Sequence, residues 1–351
     1  MDTAHNIDAE PSRTDNGFDD VSDDVSEVIV VGAGVAGLRA ARTLTSAGVR
    51  TLVLDKSRGL GGRAATRRLH GAVADHGAQY FTARDPRFQR QVDVWERAGV
   101  LQVWARGFHT LTREGLKAPR EGHPRYAFAD GMNTFGKLLG EGLTVTHSAK
   151  VVGLVQTEVG WQVRLEDGTF KHARRVLLNL PAPQVLELAG ELLTSETKNA
   201  LEAVTFAPCL ALMAGFAQAA PAWRGIMVED EANPLSWAAC DSSKRRTPDE
   251  TVLVLHGNPA FSQDFLETPD AAVPQMLEAA AALGFSEPTW TALQRWRYAK
   301  VTQPLAQPHD APYLQDDTLY FCGDWCGGAK LEAAYLSGLE VAEAMLEASN
   351  E

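Results

Sequence analysis

The segment Gly32-Ala33-Gly34-Val35-Ala36-Gly37 places three glycines at the spacing of a phosphate-cradling turn. Each glycine has a physical task. Gly32 permits the tight turn, Gly34 lets backbone approach a pyrophosphate, and Gly37 allows close packing of helix on strand. The start of the following helix, with Ala36 in its first turn, offers unpaired N–H donors and a positive dipole end to the phosphates. Asp55 comes 18 residues after Gly37, where a carboxylate can accept the ribose hydroxyls. The neighbouring Lys56 and Arg58 can also be read as partners of a 2′-phosphate, so the loop alone signals a dinucleotide without choosing between NAD(P) and FAD.

Two further segments make the choice. Arg58-Gly59-Leu60-Gly61-Gly62-Arg63 follows Asp55 directly. Its adjacent glycines let backbone pass close to a cofactor, and the Arg63 fork can grip a phosphate bidentately. Far along the chain, Phe321-Cys322-Gly323-Asp324 delivers a glycine and an acid from an apolar strand ahead of a long helix. Asp324 can bind sugar-alcohol hydroxyls, and the helix start around Glu332–Ala334 can stabilise negative charge on a reduced flavin ring. Taken alone, the first segment reads as a surface loop and the second as an ordinary turn. Combined with the glycine loop they point to FAD.

Candidates for the reacting end are fewer. His76 and Gln79 follow the second glycine segment; they can face a flavin or its substrate, or they can close a turn by bonding backbone. His256 ends a strand and reads equally as a packed core histidine or an active-site one. Trp237, Trp296 and Tyr298 can wall a flavin face, although aromatics at such spacing more often fill a core. Lys244-Arg245-Arg246 can meet a substrate phosphate or form a solvated basic face. Cys322 and Cys326 lie in the C-terminal segment, and on the residues alone a covalent flavin link at Cys326 stays open. There is no Ser-His-Asp set, no HExxH, no metal-ligand spacing among the four cysteines, and no telling pair of carboxylates.

The elements needed to position these groups are legible in part. Glu27–Val31, Leu38–Ala47 and Arg50–Leu54 read as strand, helix and strand around the first loop. Residues 86–140 mix helical patterns with loops. Val151–Gln156, Trp161–Leu165 and Phe170–His172 read as a meander, and Val176–Leu180 as a strand closed by Pro181-Ala182-Pro183. Cys209–Phe216 and Thr251–His256 read as strands, Asp270–Leu283 as a helix, Thr318–Cys322 as a strand and Leu331–Leu346 as a helix. Pieces of one nucleotide-binding unit thus bracket a middle block. The expected division is 27–95, 130–183 and 300–351 for an FAD-binding domain, with 96–129 and 184–299 for a substrate domain.

Composition narrows the remaining classes. The 351 residues carry a formal charge of -12, of which residues 1–27 supply -8. Residues 1–26 read as a disordered acidic tail without the marks of a secretory or transit leader. With no overall basic field, nucleic acid is not an expected partner. Ala203–Trp223 is free of charge but broken by Pro208, Gly215, Gln218 and Pro221, which fits a buried strand better than a membrane span. The expectation is a cytoplasmic protein with reduced thiols.

Together these segments resemble flavoproteins of the amine-oxidase superfamily, and within it the renalase-like branch. The most specific matches are Asp55–Arg68, Asp75–Arg84, Arg295–Ala299 and Gly323–Gly338. The resemblance implies an α/β, Rossmann-like, discontinuous FAD-binding domain of the amine-oxidase/hydroxylase type, joined to an α+β substrate domain with a mixed sheet. It implies non-covalent FAD held by Gly32, Gly34, Ala36, Gly37, Asp55, Lys56, Gly62, Arg63, Gly323, Asp324 and Ala334. The activity it implies is hydride transfer from dihydropyridine forms of NAD(P)H to the flavin, with molecular oxygen as acceptor and hydrogen peroxide as product. An amine oxidase or desaturase of the same superfamily and a non-catalytic flavin-binding protein are the competing readings. Three departures fall in the middle block: Lys244-Arg245-Arg246 replaces an expected Lys-Pro-Gly-Arg, Cys240 an Arg or Asn, and Phe261 a Trp.

Overall fold

The computed structural model describes residues 25–306 and 314–348; the expected acidic tail lies outside them except for its last two residues. In chain order the structure begins with β1 (Val25–Val31), α1 (Val35–Ser46), β2 (Thr51–Leu54), β3 (Thr66–Leu69), β4 (Ala72–Asp75) and α2 (Pro86–Arg97). Next come β5 (Leu101–Ala105), β6 (His109–Thr112), β7 (Gly115–Lys117), β8 (Arg125–Phe128), α3 (Thr134–Gly140) and β9 (Thr144–Thr146). The meander β10 (Val151–Thr157), β11 (Gly160–Leu165) and β12 (Phe170–Leu178) leads to α4 (Ala182–Ala189) and α5 (Ser195–Glu202). The middle block holds β13 (Thr205–Phe216), β14 (Gly225–Val228), β15 (Leu235–Cys240), β16 (Thr251–Gly257), α6 (Pro259–Asp264), α7 (Val273–Ala282) and β17 (Trp290–Gln303). β18 (Leu314–Asp316), β19 (Leu319–Phe321) and α8 (Leu331–Glu347) complete it.

The first sheet explains the apolar runs around the glycine loop. Parallel strands covered on both faces need apolar residues on both sides. Strand alternation sends Ile29, Val31, Leu54, Val176 and Leu178 into one core with α4 and α5, while Val28, Val30, Val53 and Leu177 enter another with α1, α3 and α8. β12 is long enough to serve two partners in succession: its first half pairs antiparallel with β11, its second half parallel with β19. On its other edge runs β1, followed by β2 and β9. The C-terminal strand therefore sits in the same sheet as the N-terminal one.

The second sheet has seven strands in the order β17-β13-β16-β15-β14-β6-β7, all antiparallel neighbours except β14 and β6. It is a mixed sheet. On β13 alternate residues Leu210, Leu212, Ala214 and Phe216 turn toward α6 and α7, where Phe261, Met276 and Ala280 close a core. Met213 faces the other way with Val252 and Val254, against Ala74 of the β3–β4 hairpin. This double burial accounts for the charge-free stretch read from the sequence as a strand.

Several boundaries differ from the sequence reading. β1 starts at Val25, inside the segment assigned to the tail. The expected strands at 170–172 and 176–180 are one strand, β12, and α4 follows at once with Pro181 as its N-cap residue. Residues 86–140 contain four short strands, β5–β8, that show little alternation because two pair as a separate ribbon and two extend the second sheet. The expected helix at 270–283 is split into a 3-10 turn, Pro269–Ala272, and α7. Among the described residues no helix is long and apolar enough to cross a membrane.

Candidate functional site

The glycine loop joins β1 to α1 and presses against residues following β12. Gly32 adopts φ +106°, a conformation costly for any side chain but glycine's. A Cβ on Gly37 would collide with the Gly32 carbonyl and with Asn179, which explains why helix and loop need a glycine there. Asn179 secures this geometry: its Nδ2 donates to the Gly32 carbonyl at 2.9 Å, and its backbone N–H donates to Val31 at 2.9 Å. Sequence reasoning passed over Asn179, although a polar residue directly after the apolar run Val176–Leu178 was an available signal. No side chain caps α1, so the N–H groups of its first turn, including that of Ala36, lack intrahelical partners.

Asp55 lies where the loop needs an acid. Its Oδ2 accepts from the Ala33 N–H at 2.6 Å and its Oδ1 from the Ser57 N–H at 2.6 Å. The neighbouring Lys56 is exposed, and its side chain makes no ion pair among the described residues. The second glycine segment folds back over the first: Gly61 and Gly34 form a parallel bridge, and the Gly61 N–H donates to the Ala33 carbonyl at 2.8 Å. A Cβ on Gly62 would stand 3.1 Å from Gly34 Cα, so two side-chain-free segments meet face to face.

Arg63 connects three parts of the chain. Its Nη2 meets Asp324 Oδ1 at 2.7 Å, while its Nη1 donates to the Tyr298 and Ala299 carbonyls on β17 at 3.4 and 3.2 Å. The pair is partly open, with side-chain exposures of 30% and 12%. Gly323 is fixed by its N–H donating to Ser337 Oγ of α8 at 3.1 Å. Ala334 sits in the first turn of α8, which also lacks a capping side chain. Its N–H is already given to the Lys330 carbonyl at 3.1 Å, leaving the earlier N–H groups of that turn open. Glu332 accepts from the N–H groups of Arg84 and Asp85 at 2.5 and 2.8 Å and so ties the segment before α2 to α8.

These residues fit a flavin dinucleotide. An uncapped helix start, two glycine segments in contact and an acid at the end of β2 make one polar, side-chain-poor track. Arg63 and Asp324 stand beside the strand that carries the second sheet. Two buried ring nitrogens, His76 Nδ1 and Trp237 Nε1, have no hydrogen-bond partner within the protein. Buried polar atoms are normally paired with protein, water or a ligand, so both are available to a bound group.

The candidates for the reacting end converge between the β3–β4 hairpin and the second sheet. His76 stacks on Trp296 with ring centroids 5.4 Å apart, and the Trp296 indole donates to the His76 carbonyl at 2.8 Å. Gln79 Nε2 lies 3.4 Å from His256 Nε2. Burial lowers His76 to about 4, with Arg67 adding to the effect and Asp75 opposing it. Burial together with the charges of Lys244 and His76 lowers His256 to about 3. Both imidazoles are neutral near pH 7. Trp237 neighbours His256 in register and joins Tyr80, Trp104 and Phe108 in an aromatic cluster. Tyr298 instead turns its ring to Phe206.

The basic triplet corrects the reading of a solvated or substrate-facing cluster. Lys244 is fully buried and Arg245 nearly so, while Arg246 is the exposed member and donates to the Gly99 carbonyl at 2.9 Å. Lys244 Nζ meets Asp241 Oδ1 at 2.7 Å, Asp75 Oδ2 at 3.2 Å and Gln79 Oε1 at 3.1 Å. Arg245 Nη2 meets Asp75 Oδ2 at 2.8 Å and also Asp241. Burial alone would raise the Asp75 carboxyl, yet Lys244 and Arg245, with donors from Thr66 and Met132, hold it below its ordinary value. Two cations and two carboxylates thus cancel inside the protein, and Lys244 holds Gln79 Oε1 while Gln79 Nε2 donates to the Gly77 carbonyl at 3.1 Å and to that of Asp75, with His256 at the edge of its reach. No local spacing announces this network, because its acids lie 166 residues apart.

Comparison with known proteins agrees with the geometry. Mouse (Mus musculus) renalase is 25% identical over 326 residues, covering 85% of this chain and 92% of that protein. Cyclohexylamine oxidase from Brevibacterium oxydans superposes with a TM-score of 0.74 at 11% identity over 93% of this chain and 100% of that one. Putrescine oxidase bound to putrescine gives 0.71 at 14% identity over 92% and 99%. Residues 30–98 match the NAD(P)-binding Rossmann-like domain. Since residues 98–346 match the flavin containing amine oxidoreductase model, the chain belongs to that family of flavin-dependent oxidoreductases.

Proposed function

We propose that the protein is an oxidase that holds FAD non-covalently and takes hydride from a dihydropyridine form of NAD(P)H. In this reading Gly32, Gly34, Ala36, Gly37, Asp55 and Lys56 hold the ADP half, while Gly62, Arg63, Gly323, Asp324 and Ala334 hold the ribityl and ring half. When bound, FAD supplies a two-electron acceptor that molecular oxygen re-oxidises. The balance is one dihydropyridine, one oxygen and one proton giving one pyridinium and one hydrogen peroxide.

The supporting observation is the neutrality of the reacting end. His76 and His256 are both held uncharged, and the nearest buried carboxylates are committed to Lys244 and Arg245. Hydride loss from a dihydropyridine makes an aromatic pyridinium, so no protein base has to remove a proton in the same step. The task left to the chain is orientation: the stacked His76 and Trp296 offer a flat wall, with Gln79 and His256 beside it. Burial also raises the Cys326 thiol well above its ordinary value, which disfavours a thiolate able to attack a flavin and supports the non-covalent reading. None of the four cysteines is in a disulfide, which supports a reducing cytoplasmic setting.

An anaerobic donor panel tests the proposal. Dihydronicotinamide isomers should bleach the bound flavin rapidly, and polyamines should not. Bleaching by amines alone would establish the amine-oxidase reading in its place, and no bleaching by any donor would leave a non-catalytic flavin protein.

A further inference from the structure

The layer between the β3–β4 hairpin and the second sheet changes character along its length. At one end Ala74 packs on Met213, Val252 and Val254. At the other stand His76, Gln79, His256 and Trp296. Arg67 pairs in register with Ala74 across the hairpin, so its side chain shares the sheet-facing side. It is half-buried, and its Nη2 donates to Gln294 Oε1 on β17 at 2.8 Å. That acceptor is neutral. The carboxylates nearby are taken, Asp75 by Lys244 and Arg245 and Asp324 by Arg63. Among the described residues Arg67 has no ion-pair partner, whereas Arg295 and Arg297 on the same strand both reach Glu267.

A guanidinium has five N–H donors in a fixed fork, and one amide oxygen satisfies a small part of them. Partial burial of such a cation without a counter-ion costs stability that an anionic ligand would return. Oxyanions match the fork bidentately, while an ammonium group would be repelled by it. We propose that Arg67, with Gln294 beside it, is an anion-binding subsite at the substrate end, selecting a donor that carries a phosphate. The choice of phosphate rests on the dihydropyridine reading above; the existence of an anion site does not.

Two measurements on the FAD-bound enzyme test it. Calorimetric titration with inorganic phosphate should show binding that weakens about tenfold to a hundredfold in Arg67→Gln and less in Arg67→Lys. Equal affinity in all three proteins, or no binding to the parent, would overturn the subsite. In anaerobic reduction, the kcat/KM ratio of dihydronicotinamide mononucleotide to dihydronicotinamide riboside should fall at least about tenfold in Arg67→Gln, and an unchanged ratio would also overturn it. If neither donor bleaches the flavin while phosphate binding still depends on Arg67, the dihydropyridine reading fails and the anion site stands. Should Arg67→Gln lose its flavin, Arg67→Lys carries both comparisons, since it keeps the charge and loses the fork.

Discussion

Two clusters of opposite charges join the parts of this protein, and they are built in opposite ways. Asp75, Asp241, Lys244 and Arg245 are closed from water, and every charge has at least two partners. Arg63 and Asp324 form a single, partly open pair whose remaining donors reach backbone carbonyls. A closed network has nothing left to offer a ligand and serves to lock the hairpin to the second sheet. An open pair can be re-partnered without leaving a charge stranded. In the FAD-binding reading proposed above, the first cluster serves structure and the second the cofactor, and that comparison can be broken by experiment.

The largest effect is expected from Asp75→Asn. It leaves Lys244 and Arg245 sharing one buried carboxylate, and removal of one partner from a buried pair costs about 3–5 kcal/mol. Urea unfolding of the apoprotein should show that loss; a change below about 1 kcal/mol would remove the structural role. Arg63→Ala and Asp324→Ala should behave in the reverse sense. Each should weaken FAD binding roughly tenfold to a hundredfold by fluorescence titration, the scale of a charge-assisted hydrogen bond. Apoprotein stability should shift by only about 0–1 kcal/mol, as for partly exposed pairs. Large destabilisation with unaltered FAD affinity would invert the comparison.

A separate effect, read from pH dependence and not from a single substitution, concerns the histidines beside the closed network. Folding depresses His76 to about 4 and His256 to about 3, against about 6.5 when unfolded. The unfolded chain therefore takes up protons first as pH falls. Their stability contribution is complete above pH 6.5 and is lost on acidification toward the folded values, by up to about 1.4 kcal/mol per pH unit for each. Urea midpoints between pH 7 and 4.5 measure the slope, and His76→Phe with His256→Leu should flatten it. The smallest change is expected from Cys326→Ser: acid precipitation should leave the flavin colour in the supernatant for parent and variant alike. Colour in the parent pellet alone would make Cys326 a covalent attachment point.

The open cluster was more legible in the sequence than the closed one, for a physical reason. Glycine spacing and the acid after β2 are local requirements of a turn that must accept phosphates, so Gly32–Gly37, Asp55 and Gly61–Arg63 stand out within some thirty residues. Asp324 was legible only because a strand ending in Gly-Asp before a helix is itself a pattern. Asp75, Asp241 and Lys244 obey no such rule. What compensates them is decided by how the hairpin docks on the second sheet, and Lys244-Arg245-Arg246 looked like solvated charge for that reason. Arg67 and Gln294 escaped for the same cause, lying 227 residues apart in the chain. Four short strands in residues 86–140 were missed because edge ribbons need little alternation.

The placement of β19 beside β12 has a consequence for how the protein is made. Arg63 finds Asp324 only 261 residues later, and the parallel sheet is finished by β19, after the whole middle block has been made. Until then the half of the sheet that faces β19 is an unpaired edge, the kind of surface that invites wrong pairing in a nascent chain. FAD offered during synthesis would find the first glycine turn ready and the second half of its seat missing. Loading with flavin is therefore expected only after β19 and Asp324 have been made, and a truncation before Thr318 should yield a product that stays colourless and recruits chaperones.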